Sequence, residues 1–283
     1  MAIVSKTPAA RMRSGLRYAA LVIGAILFLI PFYLLFRNAL MTEAQITAPR
    51  WSFLPPTWEW RNLQILFDDP AVPMAKALFN SIAISVTQTV GVLIVSGLAG
   101  YGLARIPYRW SNAVFIIITG SLLIPAAVTF VPSFVLVSTL GWVSTLRGLI
   151  IPGLFQALAT FLFRQFYLSF PKEIEEAAFI DGRGYWGTFW RIVVPNSGGF
   201  AAAIGTITFI GSWNAFLWPL VIAQDQEAWT VQIALSTFLT AQSVNLSELF
   251  MAAVVAIFPL LLMFLFLQRW IVEGVERTGI GGD

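Results

Sequence analysis

The sequence predicts an all-α membrane protein of six transmembrane helices, with a short helix–turn–helix between the fourth and the fifth. Three observations lead there. Hydrophobic residues make up 58% of the 283-residue chain and charged residues only 11%, against about 25% charge in soluble globular proteins. Mean hydropathy is +0.80, and uncharged runs long enough to cross a bilayer recur along the chain. The polar residues, finally, gather in a few segments, most densely between Ser169 and Asn196.

The same composition removes most chemistry. With no histidine the commonest general base is missing, and with no cysteine there are neither disulfides nor thiolate metal sites. An enzyme would rest on loop carboxylates alone, so no catalytic residue and no metal ligand is expected. The net charge of +3 is spread over several loops, and no nucleic-acid partner is expected.

The elements follow in order. Residues 1–16 form a basic N-terminal segment, and a six-helix domain covers 17–272. Tyr18 to Phe36 is too long for a signal-peptide core and lacks a small-residue cleavage site, so the first span runs over 17–40, with Pro31 as a tolerated kink. A polar loop to Lys76 carries Trp51, Trp58 and Trp60, suited to a membrane–water interface or to an extracytoplasmic partner. The second span, 77–104, holds Gly91, Ser96, Gly97, Gly100 and Gly102, small residues that let helices approach closely. Arg105 and Arg109 close it. The uncharged run from Trp110 to Leu146 is too long for one simple span; Pro125 and Pro132 are expected to break it, Gly141 suggests a turn, and the third span is placed at 111–137. The fourth, 148–168, gains length because Arg164 can snorkel. The fifth is 197–224 and the sixth 249–268; the tail, 273–283, is expected without regular structure.

Basic residues assign the sides. Lys6, Arg11, Arg13, Arg17, Arg105, Arg109, Arg164, Lys172, Arg183, Arg191, Arg269 and Arg277 fall on one side, and Arg37, Arg50, Arg61, Lys76 and Arg147 on the other. Twelve against five puts both termini and the polar segment 169–196 in the cytoplasm.

That segment reads as a helix, a turn and a second helix. Pro171 suits a first helical turn. Glu173, Glu175 and Glu176 complement the positive end of the dipole. Ile174, Ala177 and Ala178 share a face, giving an exposed surface of small side chains. Gly182 can take the left-handed conformation that ends a helix, and a second segment from Tyr185 to Val193 ends before Pro195.

The register Glu176-Ala177-Ala178, Gly182, Ile192, Pro195 resembles the EAA loop of binding-protein-dependent ABC importer permeases. Asn80-Ser81, Tyr101-Gly102-Leu103-Ala104-Arg105, Thr160-Phe161-Leu162-Phe163-Arg164-Gln165, and Trp213-Asn214-Ala215-Phe216-Leu217-Trp218-Pro219-Leu220 resemble the carbohydrate-uptake subgroup. Gln268-Arg269 and Gly274 fit its MalG-like half, and the resemblance covers most of the chain.

What the resemblance implies is a MetI/MalG-like fold of the type I importer. This chain would be one permease half, paired with a second, MalF-like permease, a dimer of ABC ATPase subunits and an extracytoplasmic solute-binding protein. Glu176 would meet the ATPase, Ala177 and Ala178 would seat in its cleft, Gly182 would form the turn and Pro195 would fix the helix end. The chain has no G-x-x-x-x-G-K-[ST] loop, so ATP and Mg would be bound by the partner subunits and no cofactor by this one. Trp213, Asn214 and Trp218 are the candidate substrate path, because aromatics stack on sugar faces and an amide both donates and accepts. The family's usual polar residue after Trp-Asn is Ala215 here.

The expected solute is a sugar or oligosaccharide, with glycerol 3-phosphate or a related polyol ester as the alternative. An ion-coupled secondary transporter is the rival class, but it would need carboxylates deep in the membrane. The acidic residues here fall in loops, at interfaces or in the tail.

Overall fold

The computed structural model describes residues 8–240 and 245–279, which are helical throughout apart from connections, with no strand among them. The helices are α1 (Pro8–Ala39), α2 (Glu43–Ile46), α3 (Arg61–Asp68), α4 (Met74–Arg105), α5 (Ser111–Ser121), α6 (Ala126–Thr139), α7 (Leu146–Ile150) and α8 (Ala157–Ser169). They continue as α9 (Lys172–Ile180), α10 (Tyr185–Thr188), α11 (Val194–Asn196), α12 (Gly198–Trp213), α13 (Leu217–Ile222), α14 (Val231–Thr240) and α15 (Leu246–Gly279).

Three stretches are long and apolar enough to cross a membrane as single helices: Ser14–Ala39, Met74–Arg105 and Leu246–Phe266. Three more pass the same test only as bent pairs, which brings the count among described residues to as many as six. The first pair, α5 and α6, bends by 97°. The sequence expects one span over 111–137. Pro125 interrupts it, because a residue before proline is pushed out of the α region and Pro125 itself is extended at ψ 134°. Pro132, by contrast, is absorbed inside α6. The second pair bends by 41° between Gly153 and Ala157, just past Pro152, where the sequence expects an unbroken 148–168. In the third region α12 stops at Trp213 and chain at Asn214–Phe216 separates it from α13, so the helix expected over 197–224 is divided. A further difference lies at the C-terminus: α15 continues through the expected tail as far as Gly279. No proline and only Gly274 interrupts that stretch, so the i→i−4 ladder simply propagates.

The chain divides into two compact units. One comprises Met1–Asp68 and Phe238–Val255. Here the Arg37 guanidinium, nearly buried, donates to the Ser52 carbonyl at 2.8 Å and lies 4.1 Å over the Trp51 ring. Asn62 donates to the Ala39 and Met41 carbonyls, tying α3 to the end of α1. Glu43 accepts from the Leu246 N–H at 2.8 Å, satisfying an orphan donor at the start of α15.

The other unit comprises Asp69–Thr237 and Ala256–Asp283. Its core is α4 lying between α8 and α12. The small residues of α4 explain the first contact. A Cβ added at Gly100 would stand 2.7 Å from the Phe163 Cβ and 2.9 Å from the Arg164 nitrogen, so only glycine allows this approach. At Gly102 the same atom meets open space, and close packing is not the reason for that residue. Buried Val92, Tyr101, Phe163, Tyr167, Phe189 and Val193 fill the seam. Asn80 and Ser81 hold the fold together at the far end of α4. Asn80 donates to the Glu227 and Trp229 carbonyls, and the Ser81 hydroxyl accepts from the Val231 N–H. The pair therefore fastens the segment before α14 to α4.

Candidate functional site

The polar segment builds its geometry from α9. Lys172 opens the helix and Pro171 stands just outside it, at φ −57°, rather than within the first turn. At the other end Asp181 is the last near-helical residue, and Gly182 turns left-handed at φ 78°. The Gly182 N–H donates to the Phe179 carbonyl and the Arg183 N–H to the Ala178 carbonyl, both at 3.0 Å. These are the two bonds of a Schellman stop. Nothing lies within 4 Å of a Cβ at Gly182, so the need for glycine there is conformational and not steric.

The helix presents one face to solvent and one to the protein. Glu173, Glu176, Ala177 and Ile180 share the outer face at spacings of three and four, and Ile180 is 87% exposed. Ala178 does not belong to it. Expected among the exposed small residues, it is 2% exposed and points inward, one turn from Glu175, which is buried too. The helical period puts 175 and 178 together and turns both away from 173, 176 and 180.

Glu175 faces Arg105, the last residue of α4. The Arg105 Nε and Glu175 Oε1 stand 3.3 Å apart, and both side chains are 6% exposed. The approach lacks hydrogen-bond alignment, so the attraction is Coulombic. Arg105 also donates from its terminal nitrogen to the Phe170 carbonyl, in the two-residue link between α8 and α9. Burial pushes the Glu175 carboxyl above the ordinary range, and Arg105 opposes that rise. One arginine thus holds the end of α8 and the first turn of α9 against α4. In the sequence Arg105 is simply the charge that ends a span. Its partner lies far along the chain and no spacing rule links the two.

The second helical segment does not end before Pro195 but incorporates it. Proline cannot donate to the Arg191 carbonyl and its ring crowds that carbonyl. The helix answers with a wide π-type turn over Phe189–Val193, closed by the Val194 N–H on the Phe189 carbonyl. Two side chains take up freed carbonyls: Asn196 donates to Ile192 at 2.7 Å and Ser197 to Val193 at 2.6 Å. The break comes at Ser197, with a bend of 78° into α12. Phe189 of this turn packs on Tyr101, at 5.0 Å between centroids, and on Tyr167, at 6.3 Å. The whole helix–turn–helix is therefore seated on α4 and α8.

The candidate solute residues are separated by the fold. Trp213 is 1% exposed, stacks on Phe209 and donates its indole N–H to the Ala256 carbonyl at 3.1 Å. Its ring is thus a core element with no free face for a sugar. Asn214 is exposed at the end of α12, where its Oδ1 accepts from Gln232. Trp218 alone lines a cleft, of about 320 Å³, together with Gln88, Phe130, Ser133, Gln156, Ser212 and Ala215 among others. Its N–H donates to the Gly148 carbonyl, and its ring meets Phe130 edge-on. Gln88 is the structural centre of the cleft: it donates to the Leu149 and Ile150 carbonyls and accepts from the Ser212 hydroxyl at 2.6 Å. No Lys, Arg, Asp or Glu is among its lining residues. Gln88, Ser133 and Gln156 escape a sequence reading because the cleft is assembled from four separated stretches.

Among the described residues no group of three or more acidic side chains could hold a metal ion.

The comparisons with known proteins agree with this architecture. A glycerol 3-phosphate transport system permease protein, UgpE, of Yersinia enterocolitica is 31% identical over 91% of this chain and 94% of its own length. An arabinooligosaccharide transport system permease protein, AraQ, of Halalkalibacterium halodurans is 33% identical over 82% of this chain and 88% of its own. In fold the chain matches the crystal structure of a bacterial ABC transporter involved in the import of the acidic polysaccharide alginate, with a TM-score of 0.82 at 21% identity, over 94% of this chain and 99% of that one. The family model for binding-protein-dependent transport system inner membrane components matches residues 93–277. That match, from within α4 onward, covers the α4–α8–α12 core and the helix–turn–helix seated on it, and the chain belongs to the family of binding-protein-dependent transport system inner membrane components.

Proposed function

We propose that this chain is one permease half of an ATP-driven importer, with α9 as the helix that receives the stroke of the ATPase subunits. The observation that carries the reading is the build of α9. It is a short helix with an outer face of Glu173, Glu176, Ala177 and Ile180, and its inner face is fixed to the membrane helices. A solvated loop would need neither the buried ion pair nor the Schellman stop.

In this reading the second permease, the ATPase dimer and the extracytoplasmic binding protein complete the machine, and lipid surrounds the spans. ATP and Mg are bound and hydrolysed in the ATPase subunits. Their closure pushes α9, and α4, α8 and α12 rock as a near-rigid body to open the path to alternate sides. Glu176 and Ala177 contact the ATPase, while Ala178 acts from the inner face by letting α9 sit close to the membrane helices. Gly182 fixes the direction in which α10 leaves, and Pro195 fixes the wide turn on which the unit is seated. The basic-residue asymmetry supports a cytoplasmic position for α9 and for both termini.

For the cargo the cleft favours a neutral sugar or oligosaccharide. Trp218 and Phe130 offer aromatic faces, and Ser133 and Gln156 offer neutral donors and acceptors without a cation for a phosphate. Asn214 lies outside this cleft and would meet solute only beyond it. The name of the Yersinia relative favours a second reading, glycerol 3-phosphate, in which the binding protein and the other permease supply the phosphate recognition.

The test is Gly182→Asp. The substitution leaves the spans intact and puts a side chain into a left-handed position that Asp can still adopt, so its main effect is a negative charge beside the docking face. Uptake should collapse while the protein still inserts in normal amount, as seen by membrane immunoblot. Wild-type uptake in the variant would sink the assignment.

A further inference from the structure

We infer that the buried Arg105–Glu175 pair is a non-covalent strut that makes α4 move with α9. The inference rests on the reading of α9 as the coupling helix.

The covalent path from α9 to the membrane helices is weak at its start. Only Phe170 and Pro171 separate α9 from α8, and a two-residue link of extended backbone is a pivot. Arg105 spans this pivot. It holds the Phe170 carbonyl on one side and the Glu175 carboxylate on the other. Rotation of α9 about the link would have to break one of these contacts or carry Arg105, and with it the end of α4, along. The glycine seam of α4 on α8 at Gly100 then passes the displacement into the core.

The choice of charges points the same way. A buried ion pair gains little over apolar residues of the same volume, because desolvation offsets the Coulomb attraction. What it adds is direction and register: the carboxylate has to stay opposite the guanidinium. The hydroxyl of Tyr101, one turn before Arg105 on α4, is buried without a hydrogen-bond partner and within electrostatic range of both charges. A carboxylate that slid toward this neutral hydroxyl would leave the buried guanidinium without its counter-charge, so Tyr101 does not substitute for Arg105.

The chain has no cysteine, so spin labels can be placed singly, at Val95 on α4 and Ile180 on α9, both exposed. With the chain in nanodiscs, pulsed electron resonance should give one narrow distance for the wild-type pair. Arg105→Gln should broaden or shift it, and the exchange Arg105→Glu with Glu175→Arg should narrow it again. In the importer purified with its partners through a tag on this chain, uptake per ATP hydrolysed should fall about tenfold in Arg105→Gln, a coupling effect of ordinary size. The charge exchange should recover most of it. Should Arg105→Gln fail to accumulate, Arg105→Lys, which keeps the charge but cannot reach both partners with a fork, takes its place with the same expectation. An unaltered distance distribution, or an unaltered uptake-to-hydrolysis ratio beside a broadened one, overturns the strut. If Gly182→Asp leaves uptake intact while the distance still broadens, it is the coupling assignment of α9 that has failed.

Discussion

Glu175 carries its carboxylate where water hardly reaches. Burial raises its proton affinity and the Arg105 guanidinium lowers it, so the charge is tolerated only while the arginine stays opposite. Removal of one partner from such a pair costs about 3–5 kcal/mol. A carboxyl raised in the folded state binds a proton that the unfolded chain has already released. Its contribution is therefore present below the ordinary carboxylate range and lost as pH rises through the folded value. In Arg105→Gln burial acts unopposed and the effect grows. Thermal unfolding of that variant in detergent should show a larger deficit relative to wild type at about pH 8 than at about pH 5, a tenfold rise in the carboxyl's proton affinity being worth about 1.4 kcal/mol. A deficit independent of pH would mean that Glu175 gives up its charge without consequence.

At the scale of elements, what can be read from a sequence is what one helix decides for itself. The end of α9 at Gly182 is such a case, because a left-handed residue is a local demand. The small-residue seam of α4 is another, in part: Gly100 lies against α8 and Gly102 does not, since a glycine count cannot tell which face meets a neighbour. The inward placement of Ala178 and Glu175, the ion pair and the cleft around Gln88 all depend on contacts between distant segments. The prolines act in two ways: the break expected at Pro125 is present, and the one expected at Pro132 is not. Pro132 sits inside α6 and Pro195 inside the second polar helix, while Pro125 and Pro152 stand at breaks. The seam itself can be tested. Gly100→Leu drives a side chain into the Phe163 and Arg164 backbone and should destabilise by at least about 1–3 kcal/mol. Gly102→Leu, in open space, should change little. Unfolding temperatures in detergent distinguish the two, and equal losses would mean that α4 and α8 are held apart from this contact.

For the whole molecule, composition was enough to find a helical membrane protein, and the register from Glu176 to Pro195 was enough to find its family. Family and fold stand on independent likenesses, one in sequence and one in structure. The solute path was less legible, because Trp213 and Trp218, five residues apart, fall into a core and a cleft respectively. In the proposed importer the chain also holds only one wall of the route, and the other belongs to the second permease.

In the proposed importer the ATPase subunits act on the outer face of α9, and a crosslink reads that contact. A photoreactive residue placed at Ile180, in cells that express the complete importer, should form an adduct with the ATPase subunit, and its yield should change when ATP is trapped. The same group at Trp51, exposed in the loop after α1, should form none. An adduct from Trp51 and none from Ile180 would put the motor on the other side of the membrane and contradict the account.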